Sequence, residues 1–156
     1  MQAGEILSVW YYEWAEELYA KGEIEHAIIE LKRALYYSPE QSEFYTSRIG
    51  YMQMDLYATA TDLHKITLPG GTSKDLDGFA ELIIENDDRD YELNVYLRGP
   101  TNMFFTIDAN SEYACTLPAG TFEIAVDAPS GMVVGTYYGE VELLPNRSYT
   151  LSYYIW

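Results

Sequence analysis

The sequence is poor in reactive side chains and in positive charge. Cys115 is its single cysteine, which excludes an intrachain disulfide and any multi-cysteine metal site. Its two histidines, His26 and His64, stand in no motif with Ser, Cys or a carboxylate at catalytic spacing, so an exposed or helix-end position is expected of both. Nine Lys and Arg face 25 Asp and Glu, a net charge of −16. That balance argues against nucleic-acid backbones and anionic membrane surfaces, which need clustered cations. No apolar run approaches the roughly 20 residues of a membrane span, so no membrane insertion is expected. The start, MQAGEILSVW, has neither a basic flank nor a small-residue cleavage site, and no signal peptide is visible. Walker loops, Rossmann fingerprints and Gly-x-Ser-x-Gly elbows are absent as well. No enzyme, cofactor or resident metal is therefore expected. SKDLDG (73–78) places Asp75, Asp77 and Gly78 at positions 3, 5 and 6 of an EF-hand loop, but Ser73 and Ile84 fill positions 1 and 12. Calcium at Asp75/Asp77, or at Asp87, Asp88 and Asp90, is expected to be adventitious at most.

What the chain does have is apolar residues, at 48% of 156, and sixteen tyrosines spread along its length. A core can be buried and the chain is not disordered. Its character changes near Pro69-Gly70-Gly71. Before that point apolar residues recur at intervals of three and four; after it they alternate. Ile6, Trp10, Trp14 and Leu18 form one helical stripe, with Tyr11 and Ala15 beside it, and Lys21-Gly22 stops it. A second helix carries Ile24, Ala27, Ile28, Leu31, Ala34 and Leu35, with His26 on its solvent side, and ends at Ser38-Pro39. The short connection requires an antiparallel hairpin. A third helix follows with Phe44, Ile49, Met52 and Leu56, and a fourth, shortened by Pro69, is expected to end near His64.

Counted from Ser8 in a 34-residue frame, Tyr11, Ala15, Leu18, Gly22, Ala27, Leu31, Ala34 and Pro39 fall at positions 4, 8, 11, 15, 20, 24, 27 and 32. This segment resembles one tetratricopeptide repeat. A partial second repeat from Gln41 places Phe44, Tyr51 and Ala60 well, but Arg48 stands where a small residue packs. The resemblance implies a stack about one and a half repeats long, whose open end needs a cover. It also implies that Val9, Tyr12, Glu16, Tyr19 and Ala20 line a binding surface.

The second half reads as seven strands at 80–86, 91–99, 103–108, 112–117, 121–127, 137–144 and 148–156. In TFEIAVD (121–127), Phe122, Ile124 and Val126 point inward; in the last strand Tyr149, Leu151, Tyr153 and Ile155 do. Cys115 alternates inward with Tyr113 and Leu117, as a small core residue. LPAGTFEIAV (117–126) with YYGEVELLPNRSYTLSYYI is similar to prealbumin-like and PEGA-type β-sandwich modules. That resemblance implies a non-catalytic module, common on bacterial envelope proteins.

The expected fold is thus α+β in two domains: tetratricopeptide-like α-hairpins at 1–68, a linker at 69–78, and an antiparallel seven-stranded β-sandwich at 79–156. The expected partner is protein, foremost further copies of this chain in a ring or filament, or as a scaffold. Its contact residues are Val9, Trp10, Tyr11, Tyr12, Glu16 and Tyr19 near one end, and Tyr153, Tyr154 and Trp156 on an unprotected last strand at the other. The alternative is a carbohydrate-binding sandwich stacking sugars on Tyr137, Tyr138, Tyr154 and Trp156. The expected location is extracytoplasmic in a bacterium, with the cytoplasm as the alternative.

Overall fold

The computed structural model describes residues 3–128 and 135–153. The chain has an α+β fold and divides into two compact units, Met1–Ala60 and Thr61–Trp156. Tyr154 and Trp156 of the expected contact set lie outside the described residues.

The first unit holds α1 (Ala3–Ala20), α2 (Ile24–Tyr37), a 3-10 turn (Pro39–Gln41) and α3 (Ser42–Thr59). Gly22, at φ +82°, ends α1: its N–H reaches Tyr19 O and the Glu23 N–H reaches Leu18 O. This is the Schellman pattern, which needs a left-handed residue and so favours glycine. Ala15, Ala27 and Ala34 are fully buried, and their small size lets the helix backbones approach. Leu31, Tyr45 and Met52 fill the remaining core. The Ser8 and Tyr45 hydroxyls pair at 3.1 Å, joining α1 to α3. Of the Ile6–Trp10–Trp14–Leu18 stripe only Leu18 is buried. The other three stand in solvent.

The second unit has nine strands among its described residues: β1 (His64–Lys65), β2 (Thr72–Ser73), β3 (Phe79–Asn86), β4 (Leu93–Arg98), β5 (Met103–Ile107), β6 (Ser111–Pro118), β7 (Gly120–Asp127), β8 (Tyr137–Leu143) and β9 (Arg147–Tyr153). One sheet runs β1-β8-β7-β4-β5 and the other β2-β9-β3-β6. Alternation sends Leu82, Ile84, Leu93, Val95, Leu97, Phe122, Ile124, Val126, Val141, Leu143 and Leu151 into one core.

Three expectations about this half need correction. Both sheets are mixed, not antiparallel, because β9 runs parallel to β3 and β1 parallel to β8. β9 is not an edge strand along its whole length: β3 flanks all of it on one side, and β2 covers its first two residues on the other. Residues 61–78 hold neither a fourth helix nor a free linker. Their backbone finds partners at both sheets, His64 and Ile66 donating to Thr136 O and Tyr138 O, and Lys74 to Asn146 O. Gly139 makes the first contact possible, since a Cβ there would stand 2.9 Å from Ile66 Cβ.

Candidate protein-interaction site

The expected contact residues of α1 fall on two different faces. Tyr12, Glu16 and Tyr19 turn toward α3. Arg48, read as a misfit, is what binds them: its Nε and Nη2 donate to the two Glu16 oxygens at 2.7 Å each. The guanidinium also lies 4.9 Å from the Tyr19 ring centre and 5.4 Å from that of Tyr51. Hydrogen bonding to Glu16 raises the Arg48 pKa further. Tyr19 donates a short hydrogen bond to Asp55, and that bond, ahead of burial, pushes its phenol up to about 12. Tyr12 meets the rings of Phe44 and Tyr45. These side chains are largely engaged with one another.

The other face is open. Val9, Trp10 and Trp14 on α1 are exposed, together with Ile6, and Ile29 and Tyr36 on α2 continue the patch. Tyr11 stacks on Tyr37 at 5.6 Å with rings 5° from parallel, and Arg33 sits 5.9 Å above the Tyr11 ring. Trp10 leans on both Tyr11 and Trp14. A shallow groove of about 370 Å³ runs between Tyr11, Ile29, Arg33, Tyr36 and Tyr37. Sequence spacing found Trp10 and Tyr11 but missed Tyr36 and Tyr37, although two adjacent tyrosines ending a helix were a readable signal. The patch is rigid aromatic surface with cations at its edge, the composition that enriches interface hot spots.

In the β unit Tyr153 is 7% exposed and belongs to the core, not to a surface. Tyr137 also turns inward, its ring 5.0 Å from that of Tyr153 and 5.1 Å from His64. Tyr153 is therefore no surface contact, and Tyr137 presents no flat ring to solvent for a sugar. Tyr138 faces the other way and donates to Glu123 at 2.7 Å, beside the Arg98–Glu123 pair at 2.6 Å. Burial and that bond push its phenol up to about 12. Ala125 and Asp127, which alternate with the inward Phe122, Ile124 and Val126, are buried as well; Ala125 lies across the ladder from both Tyr96 and Tyr138, and Asp127 accepts from Asn94 at 2.9 Å. Cys115 packs against the core, where burial pushes its thiol up to about 11. A thiol so shifted is a poor nucleophile at neutral pH.

The acidic loops cap themselves. Asp88 accepts from the backbone of Asp90 and Tyr91, and Asp75 from that of Asp77. Among the described residues no group of three or more His, Cys, Asp or Glu stands together as a metal site, and no helix is long and apolar enough to cross a membrane.

No family model matches this chain, and no curated protein does. Among solved structures, an NMR structure of a protein from Eubacterium rectale is 8% identical, with a TM-score of 0.38, and covers 53% of this chain and 84% of its own. A likeness that weak carries no argument.

Proposed function

We propose that this chain is a non-catalytic protein-interaction and assembly module whose main partner is another copy of itself. In this reading a tetratricopeptide-like helical domain is joined to a PEGA-like β-sandwich domain, as a scaffold component of a bacterial cell-envelope protein. The exposed aromatic face of α1 and α2 carries the proposal. Aromatic side chains offer about 150–250 Å² each. With Trp10, Trp14, Tyr36 and Tyr37 exposed by 53, 38, 78 and 37%, and the exposed aliphatic residues Ile6, Leu7, Val9 and Ile29 beside them, the patch is on the order of 700 Å². A monomer's largest patch is usually about 300–600 Å², and a standard interface takes about 800 Å² from each partner.

A second copy suits the face for a further reason. Helical spacing puts Glu13 and Glu17 on the Trp10–Trp14 side of α1, and Lys32 and Arg33 beside Tyr36 on α2. Two copies facing each other about a twofold axis set carboxylates against cations around an aromatic centre.

Sedimentation velocity across micromolar concentrations tests this. The wild type is expected to gain mass with concentration, and a Trp10→Ala/Tyr36→Ala variant to lose that gain while keeping its helical circular dichroism. A wild type that stays monomeric sinks the reading. Retardation of that monomer on polysaccharide gels would favour the carbohydrate alternative instead.

A further inference from the structure

Backbone groups of a strand point alternately to its two neighbours. In β9, Asn146 O just before the strand accepts from Lys74, and Ser148 pairs with Thr72 of β2. Tyr153 O instead accepts from Asp87 on the β3 side. Even-numbered residues therefore face β2, so Thr150 and Ser152 turn their N–H and C=O toward a side where β2 has already ended. A groove of about 350 Å³ opens there, between the Lys65–Thr67 segment with Pro69 and the Thr150–Tyr153 half of β9. Tyr153 lines it, and its buried hydroxyl has no hydrogen-bond partner among the described residues.

The far edge of the same sheet is the counterpart. Odd-numbered residues of β3 face β9, since Phe79 O accepts from Asn146 and Asp87 N–H reaches Tyr153. Even-numbered ones therefore bond β6, which turns the backbones of Ser111, Tyr113, Cys115 and Leu117 inward. Among the described residues no strand pairs with the outward backbones of Glu112, Ala114 and Thr116. Edge strands normally carry a lysine, a bulge or an internal proline against pairing. This one has no lysine, and only Glu112 near its start and Pro118 at its last position.

We infer that β6 of one copy adds as a strand to the free half of β9 of the next, extending the sheet from molecule to molecule. The choice of a second copy rests on the assembly reading above. It is supported by the presence of both unmatched edges in one sheet, and by exposed Lys65 at the groove against Glu112 on the incoming strand. Groove and donor are different surfaces, so the contact is heterologous and grows into a ring or an open filament.

Two proline variants test this in the intact chain. Ala114→Pro removes an outward N–H from β6, and Thr150→Pro removes one from the groove; neither takes a bond from the chain's own ladders. Both are made in the Trp10→Ala/Tyr36→Ala background, so that the helical contact is silent. At millimolar concentration, above the micromolar range in which it no longer gains mass, the parent double variant is expected to associate through strands, and each proline variant to stay monomeric. Mixed one to one, they are expected to form a dimer and nothing larger, because each supplies the half the other lacks. A mixture that stays monomeric, or proline variants that associate like their parent, overturns the inference. Where proline prevents folding, Ala114→Lys and Thr150→Lys repeat the experiment with the same expected pattern. If strand pairing fails while Trp10→Ala/Tyr36→Ala still abolishes wild-type association, the helical contact stands and only this inference falls.

Discussion

The helical unit and the β unit place their large apolar side chains in opposite ways. The helical core is built from eight buried residues, three of them alanine, while Trp10, Trp14, Tyr36 and Phe44 stand outside. The β core gathers seventeen, including Phe122, Tyr149 and Tyr153. A small helical unit that keeps its best hydrophobic material on the surface stabilises itself little and gains most from a partner. The β unit is close to self-sufficient in core, and what it leaves unmatched is backbone. The difference separates two kinds of exposed surface within one chain: aromatic area on the helices, backbone edge on the strands.

The largest effect is expected from Phe122→Ala, which empties a fully buried site and costs about 3–5 kcal/mol in denaturant titrations. Ala34→Gly in the helical core removes far less volume and is expected to cost about 1 kcal/mol. Equal losses for the two would break the contrast between a filled core and a thin one. Gly139→Val is next, at about 1–3 kcal/mol, because its side chain collides with Ile66. Faster amide exchange at His64 and Ile66 reports the lifting of β1 from β8. Arg48→Met is expected to cost about 1 kcal/mol or less, the range for partly exposed ion pairs, by the same titration.

Alkaline pH acts on the helical unit through Tyr19. Its folded pKa of about 12 lies above the ordinary value of 10, so the fold favours the neutral phenol. The stabilisation is complete below pH 10 and disappears as pH rises through 12. Tyrosinate absorbance during titration checks this, and Tyr19→Phe is expected to shrink the late-titrating component, to which Tyr138 also contributes. Trp10→Ser is expected to change monomer stability least, within about 0.5 kcal/mol, while reducing concentration-dependent mass in sedimentation. A large stability loss there would mean that Trp10 belongs to the core.

Local patterns were the most legible part of the sequence. Seven strands lie within a few residues of where alternation put them, and Phe122, Ile124 and Val126 point inward as read. The first three helices and the Gly22 stop were equally visible, since they depend on neighbours in sequence, whereas the fourth expected helix does not form. What escaped depends on distant partners. β1 and β2 are two residues each, too short for any period, and exist only because β8 and β9 receive them. The parallel β3–β9 pairing joins residues about sixty-seven apart, as in Glu81 with Ser148. Helical spacing likewise defines a stripe without saying which side is covered, so Trp10 and Trp14 looked no different from Leu18. Arg48 read as a flaw because its partner, Glu16, lies on another helix.

The parallel pair also governs how the molecule bears force. A pull that enters before β3 and leaves beyond β9 drags two adjacent strands along their length in opposite directions. Every ladder bond from Ala80–Arg147 to Asn86–Tyr153 then shares the load, whereas a hairpin would open one pair at a time. The two-residue strands ahead of β3 hold by their tips alone and yield first, releasing residues 64–73 at about 3.3–3.6 Å of length each. Stretched in an optical trap, the β unit is expected to give a short early extension and then one abrupt rupture. A gradual, pair-by-pair lengthening would rule out shear. Built this way, the chain lengthens slightly under tension before it fails.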